Sequence, residues 1–183
     1  MKTPAGCWAR TGPGAFAIRF ALAFGLLLAG FEATRGTDFE RFVVDGLFVA
    51  PAAATVNVLA PGTHAAASAR AIVSPEARLR VLRGCEGIET ILLVVAAVLA
   101  FPATWRQRAG GLIVGVLLGY VLSIGRLAFL FLSLRYFAAT YEWTHGLIAP
   151  LVPVGALALF FLAWSGRSGP VRPRPRGGAA VNS

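Results

Sequence analysis

Acidic residues are scarce in this chain of 183 residues, with eight Asp and Glu against seventeen Lys and Arg, a formal charge of +9. Charged residues of both signs make up only 14%, well below the roughly 25% of soluble domains, which argues against an ordinary soluble enzyme. Cysteine is nearly missing: Cys7 and Cys85 cannot build a disulfide framework. Histidine is confined to His64 and His145, and no CxxC or HExxH spacing points to a metal site. There is no Gly-rich phosphate loop and no GxSxG elbow. No metal or cofactor therefore enters the reading. Disorder is excluded from the other side, because 57% of the residues are hydrophobic and a disordered chain lacks them. The basic residues sit between apolar runs rather than in one patch, so no nucleic-acid partner is expected.

What the chain does have is long apolar runs. Residues 15–31, 88–101, 110–137 and 146–164 are candidates for membrane spans, the second reaching a usable length only with its flanks. Lys2, Arg10 and Arg19 precede or open the first run. Arg106 and Arg108 lie between the second and third, and Arg167, Arg172, Arg174 and Arg176 follow the fourth. None of these three regions contains an acid. The bias of Lys and Arg toward the cytoplasm then places both termini and the 102–109 loop inside. A fifth weak run, 42–60, holds Asp45, Pro51 and Asn57. A span there would put the arginine-rich tail outside, so it reads as an interfacial or re-entrant helix on the outer face. The expected architecture is an all-α polytopic membrane bundle of about four spans plus that helix. Residues 1–164 form a single integral-membrane domain in contact with lipid, and 165–183 form a basic, disordered cytoplasmic tail. Segments 69–73 and 77–82, separated by Ser74-Pro75-Glu76, suggest a small hairpin on the outer face.

Three residues carry candidate chemistry. Cys85 stands between glycines in Gly84-Cys85-Glu86-Gly87, directly before the second run. A helix N-terminus favours a thiolate, whereas Glu86 and Glu89 disfavour one and call for a compensating cation. Arg126 is the candidate, about 22 Å into the third run at 1.5 Å per residue. His145, in Glu142-Trp143-Thr144-His145, lies just before the fourth run. The topology brings all three to one membrane level from three helices. A nucleophile, its base and a cation for an oxyanion form a recurrent catalytic set. Each has a plainer reading, as a small helix-start residue, a snorkelling arginine and a solvated interfacial histidine. A non-enzymatic membrane scaffold or transport subunit is the alternative function.

At these residues the sequence resembles a known family. The stretch from Gly84 through Thr90, then Ala96-Ala97-Val98-Leu99-Ala100-Phe101-Pro102 and Trp105-Arg106, is similar to the exosortase/archaeosortase membrane enzymes, most of all the small exosortase H type. The similarity continues at Gly125-Arg126-Leu127 and at Tyr141-Glu142-Trp143-Thr144-His145. It implies a cysteine transpeptidase or protease of the bacterial inner membrane, multi-pass, with its active site facing the periplasm. Cys85, Arg126 and His145 would be catalytic, and Glu86, Ser123 and Glu142 are the supporting candidates. Substrates would be exported proteins carrying a C-terminal sorting motif, a membrane helix and a basic tail. The family usually has Asn three residues before the arginine, where this chain has Ser123.

Overall fold

A computed structural model describes residues 13–82, 84 and 86–168. Cys7, the arginines at 10 and 83, Cys85 and most of the basic tail lie outside the described residues. The chain is an all-α membrane bundle. Helix α1 (Pro13–Ala33) is followed by α2 (Asp38–Leu59), and a three-stranded sheet comes next. Helices α3 (Ile88–Ala100), α4 (Trp105–Tyr136) and α5 (Tyr141–Arg167) complete the fold. Four of these helices are long and apolar enough to cross a membrane: α1, α2, α4 and α5.

The four are not quite the expected four. Helix α3 has 13 residues, about 20 Å at 1.5 Å per residue, and is shorter than a free-standing span needs. Two backbone features set its length. Gly87 at its start has φ of 85°, and Phe101-Pro102 ends it in extended backbone. The expected weak segment instead forms a continuous 22-residue helix, α2. Its first half is π-helical over Phe42–Val49.

The bundle has two distinct ends. At one, Phe16 of α1 stacks on Phe161 of α5 at 6.2 Å, and Phe101, just past α3, meets Phe161 and Trp164 edge-on at 5.9 and 5.5 Å. Trp164 Nε1 donates to the Gln107 carbonyl at 3.3 Å. Thr104 and Gln107 close a capping box over the start of α4. The close fit rests on small residues: Gly111, Gly115, Gly119 and Ser123 recur every four residues on the buried face of α4. A Cβ at Gly111 would stand 2.6 Å from the Trp164 ring, and one at Gly119 would stand 2.8 Å from Ile91. Membrane helices pack through such small-residue seams because lipid supplies no hydrophobic drive between them. Their outward residues, among them Leu22, Leu26, Leu117 and Leu159, stay exposed for lipid.

At the other end sits the larger core, in which Val44, Phe48, Val49, Ala52 and Val56 of α2 pack with Leu127, Leu130 and Phe131 of α4. Ile72 and Leu79 of the sheet join them. The sheet is antiparallel, in the order β1 (Ala66–Ser68), β2 (Ala71–Val73), β3 (Arg78–Arg80). Ala71 pairs with Arg80 and Val73 with Arg78, which is the expected hairpin around Ser74-Pro75-Glu76. Strand β1 is an addition that the Ala-rich segment did not signal. Asn57, near the end of α2, exchanges two hydrogen bonds of 2.8 Å with the backbone of Ala65. Arg70 bonds Asp45 and Glu40 nearer its start. Strand β1 therefore runs beside α2 in the opposite direction.

Candidate active site

The site is built on the second half of α4. Gly87 approaches so closely that a Cβ there would fall 2.1 Å from Ser123 Oγ. Ser123 is buried, and its hydroxyl donates to the Gly119 carbonyl at 2.8 Å. The contact seats the start of α3 on α4 one turn before Arg126, about 4.5 Å along the axis. Cys85 lies outside the described residues, but Glu86 and Gly87, the two residues after it, are fixed by buried contacts.

Arg126 lines an apolar cleft of about 450 Å³ between α4 and α5. Val121, Leu122, Gly125 and Phe129 form one wall, and Ile148, Ala149, Val152 and Pro153 form the other. Its Nε, like those of Arg35 and Arg135, is buried without a hydrogen-bond partner among the described residues, but unlike those two it has no acid paired with its guanidinium there. A guanidinium held in an apolar, membrane-level cleft is unfavourable unless an anion or a polar ligand group joins it. Arg135, by contrast, pairs with Glu76 of the hairpin turn at 2.7 Å and lies over the Tyr136 ring.

His145 lies in the π-helical turn Thr144–Ile148, the last residue of which faces Arg126 across the cleft. The imidazole is half-buried and stacks on Tyr141, ring centres 5.6 Å apart. Pro153 has no N–H to offer the carbonyl of Ala149, and both residues line the cleft. The first turns of α5 are thus irregular where they meet α4, a common feature beside functional sites.

The supporting candidates divide. Ser123 is a packing residue whose hydroxyl already serves the Gly119 carbonyl. Glu142 is exposed and lies with Trp143, Gly146 and Leu147 on an open outward groove, apart from the Arg126 cleft. Glu86 is 4% exposed, and its partner is Arg70. The cation that offsets Glu86 is therefore in the hairpin and not Arg126. In the sequence Arg70 is one of four arginines in the hairpin region, at 70, 78, 80 and 83, and no spacing links it to residue 86. No family model, no curated protein and no solved structure matches the chain.

Proposed function

We propose that the protein is a membrane-embedded cysteine transpeptidase or protease of exosortase type, acting on C-terminal sorting signals at the outer face of a bacterial inner membrane. The observation that carries this reading is Arg126: a cation with no acidic partner among the described residues, in an apolar cleft one turn along α4 from the Ser123 contact that seats Gly87, two residues after Cys85 in the sequence. The His145-bearing turn of α5 stands at the same cleft. A structural arginine would be expected to pair with an acid, as Arg70 and Arg135 do.

In this mechanism the substrate's membrane helix lies beside α4 and α5 and brings its motif to the hairpin end of the bundle. The Cys85 thiolate attacks the scissile carbonyl. The oxyanion of the tetrahedral adduct is stabilised by the planar Arg126 guanidinium. His145 gives a proton to the departing amine, leaving a thioester on Cys85. Water or an acceptor amine then attacks the thioester, and the thiol is regenerated. The deciding experiment expresses the protein with exported reporters that carry C-terminal helices and basic tails from the same genome. Release of the tail should require Cys85 and survive Cys7→Ala. Release at the parent rate by Cys85→Ala would leave a non-enzymatic membrane subunit as the better account.

A further inference from the structure

Arg126 stands at a membrane boundary as well as in a cleft. Between Trp105 and Arg126, α4 rises about 31 Å at 1.5 Å per residue, which matches the roughly 30 Å of a hydrocarbon core. Trp105, Arg106 and Arg108 open α4 at the aromatic end, so Arg126 falls at the level of the phosphates of the other leaflet. The cleft opens sideways, because Val121, Phe129, Ile148 and Val152 of its walls are exposed. From Val121 to Phe129 it follows α4 for about 12 Å, so its volume of about 450 Å³ gives a mean cross-section of about 40 Å². An α-helix with its side chains needs about 80–110 Å², so the cleft admits a hydrocarbon chain but not a helix. Gly125 leaves that space open, since a Cβ there would meet no heavy atom within 4 Å. The acids at this end are engaged elsewhere. Glu76 pairs with Arg135, and Glu40 and Glu86 pair with Arg70. Glu89 faces Gly84, and Glu142 lies on the separate outward groove. No acid among the described residues pairs with Arg126.

We propose that the Arg126 cleft is a phospholipid site in the substrate-free protein. The guanidinium donates to the lipid phosphate, and one acyl chain fills the apolar part of the cleft around Val121, Leu122, Val152 and Pro153. A guanidinium suits a phosphate because its planar fork makes paired, charge-assisted hydrogen bonds. The other walls of the cleft offer apolar side chains alone, so a phosphate without a tail would leave the cleft unfilled. A peptide can present a single carbonyl to Arg126 from the hairpin end. Filling the cleft with peptide, however, would carry backbone N–H and C=O groups past walls that cannot bond them. A lipid tail brings no such groups and gains from burial in the cleft. The binding does not depend on the enzyme reading, and its failure would leave that reading standing.

The test titrates the purified full chain in detergent and counts bound lipid by native mass spectrometry. Three probes are used: phosphatidylglycerol, diacylglycerol with the same chains, and glycerol phosphate, which carries the anion without chains. Phosphatidylglycerol should bind about tenfold or more tighter than diacylglycerol, the effect of a hydrogen bond to a charged group. Glycerol phosphate in about hundredfold excess should not displace it, because it lacks the buried chain. Arg126→Met should lower phosphatidylglycerol affinity about tenfold or more and leave diacylglycerol unchanged. Gly125→Leu fills the cleft and keeps the cation, so it should weaken both lipids about tenfold or more. Arg78→Gln with Arg80→Gln removes two exposed arginines of the sheet and should change neither lipid. If Arg126→Met does not accumulate, Gly125→Leu and the comparison of probes on the parent chain still decide. Equal affinity for the two lipids, or displacement by glycerol phosphate, overturns the proposal. So does phosphatidylglycerol binding that survives Arg126→Met or Gly125→Leu, or that is lost only with Arg78 and Arg80. Undiminished tail release by Cys85→Ala would sink the enzyme reading instead and leave these measurements untouched.

Discussion

Gly87 and Ser123 touch backbone to side chain: a Cβ on Gly87 would stand 2.1 Å from Ser123 Oγ and 2.6 Å from its Cβ. This contact fixes where α3 begins, and so where the segment from Glu86 onward meets α4. Gly87 also has φ of 85°, so it is constrained twice.

Gly87→Ala should therefore destabilise the bundle by about 1–3 kcal/mol or more, from overpacking and from the left-handed backbone together. Ser123→Gly in the same chain should recover part of the loss, since it removes the clashing atoms but not the backbone strain. Thermal unfolding in detergent measures both. If Gly87→Ala were as stable as the parent, the seating of α3 on Ser123 would be wrong. Ser123→Asn adds bulk at a site with no space and should cost about as much.

Arg126 makes the opposite prediction for stability. Because its Nε is buried without a partner among the described residues, replacing it with an apolar side chain of similar length removes an unfavourable burial. Arg126→Met should be as stable as the parent or up to about 1 kcal/mol more stable. Tail release should nonetheless fall by about a hundredfold or more, the size of effect seen when an oxyanion donor is lost. Arg126→Lys should also lose most activity, because an ammonium does not reproduce a planar multi-donor fork. Loss of folding together with activity in Arg126→Met would mark a structural arginine.

The amount of this fold legible in the sequence depends on what carries the signal. Apolar length is additive along the chain, so α1, α4 and α5 were visible as runs. The hairpin turn at Ser74-Pro75-Glu76 was visible because turn chemistry is local. The length of α3 was not, because it is set by a contact between Gly87 and Ser123 across two helices. The integrity of α2 was hidden too. Its Asp45 and Asn57 interrupt the apolar run in the sequence, but they bond the backbone of Arg70 and of Ala65, on either side of β1. Arg126 and His145 stand out in the sequence as candidates by position and residue type. The Arg70–Glu86 pair does not, since ion pairing at a separation of sixteen residues leaves no periodic trace.

The aromatic end tests packing apart from function. Trp164 lies over Gly111, with ring atoms at 2.6–2.8 Å from where a Cβ would be. Gly111→Ala should push the ring away and lower stability by about 1–3 kcal/mol. A smaller ring in Trp164→Phe should relieve that clash, so the double variant should be more stable than the sum of the single effects. Strict additivity in thermal unfolding would mean that α4 and α5 do not meet there. Tail release should follow only the fraction of folded protein in these variants.

The last prediction concerns which helices cross the membrane. By length and hydropathy α2 qualifies and α3 does not, yet their contacts point the other way. Glu40, near the start of α2, is bonded by Arg70, and Asn57, near its end, is bonded by Ala65. Both ends are thus tied to one small sheet that lies along the helix. Arg78 and Arg80 of that sheet are exposed, and an exposed arginine in hydrocarbon costs about 2.5–3.5 kcal/mol even on the mildest scale. The sheet therefore belongs at the water boundary, and α2 with it. Helix α3 instead joins α1 on one side and α4 on the other, and Phe101 at its far end meets Phe161 and Trp164. A short helix flanked by longer ones can connect the two faces when its ends are sheltered by protein. Compartment reporters fused at Gly36 and Gly62 should accordingly report the same side, and one at Gln107 the opposite side. Opposite compartments for Gly36 and Gly62 would make α2 a true span and move the hairpin, with Glu86 paired to it, to the cytoplasmic face. That result would remove the outer-face transpeptidase reading.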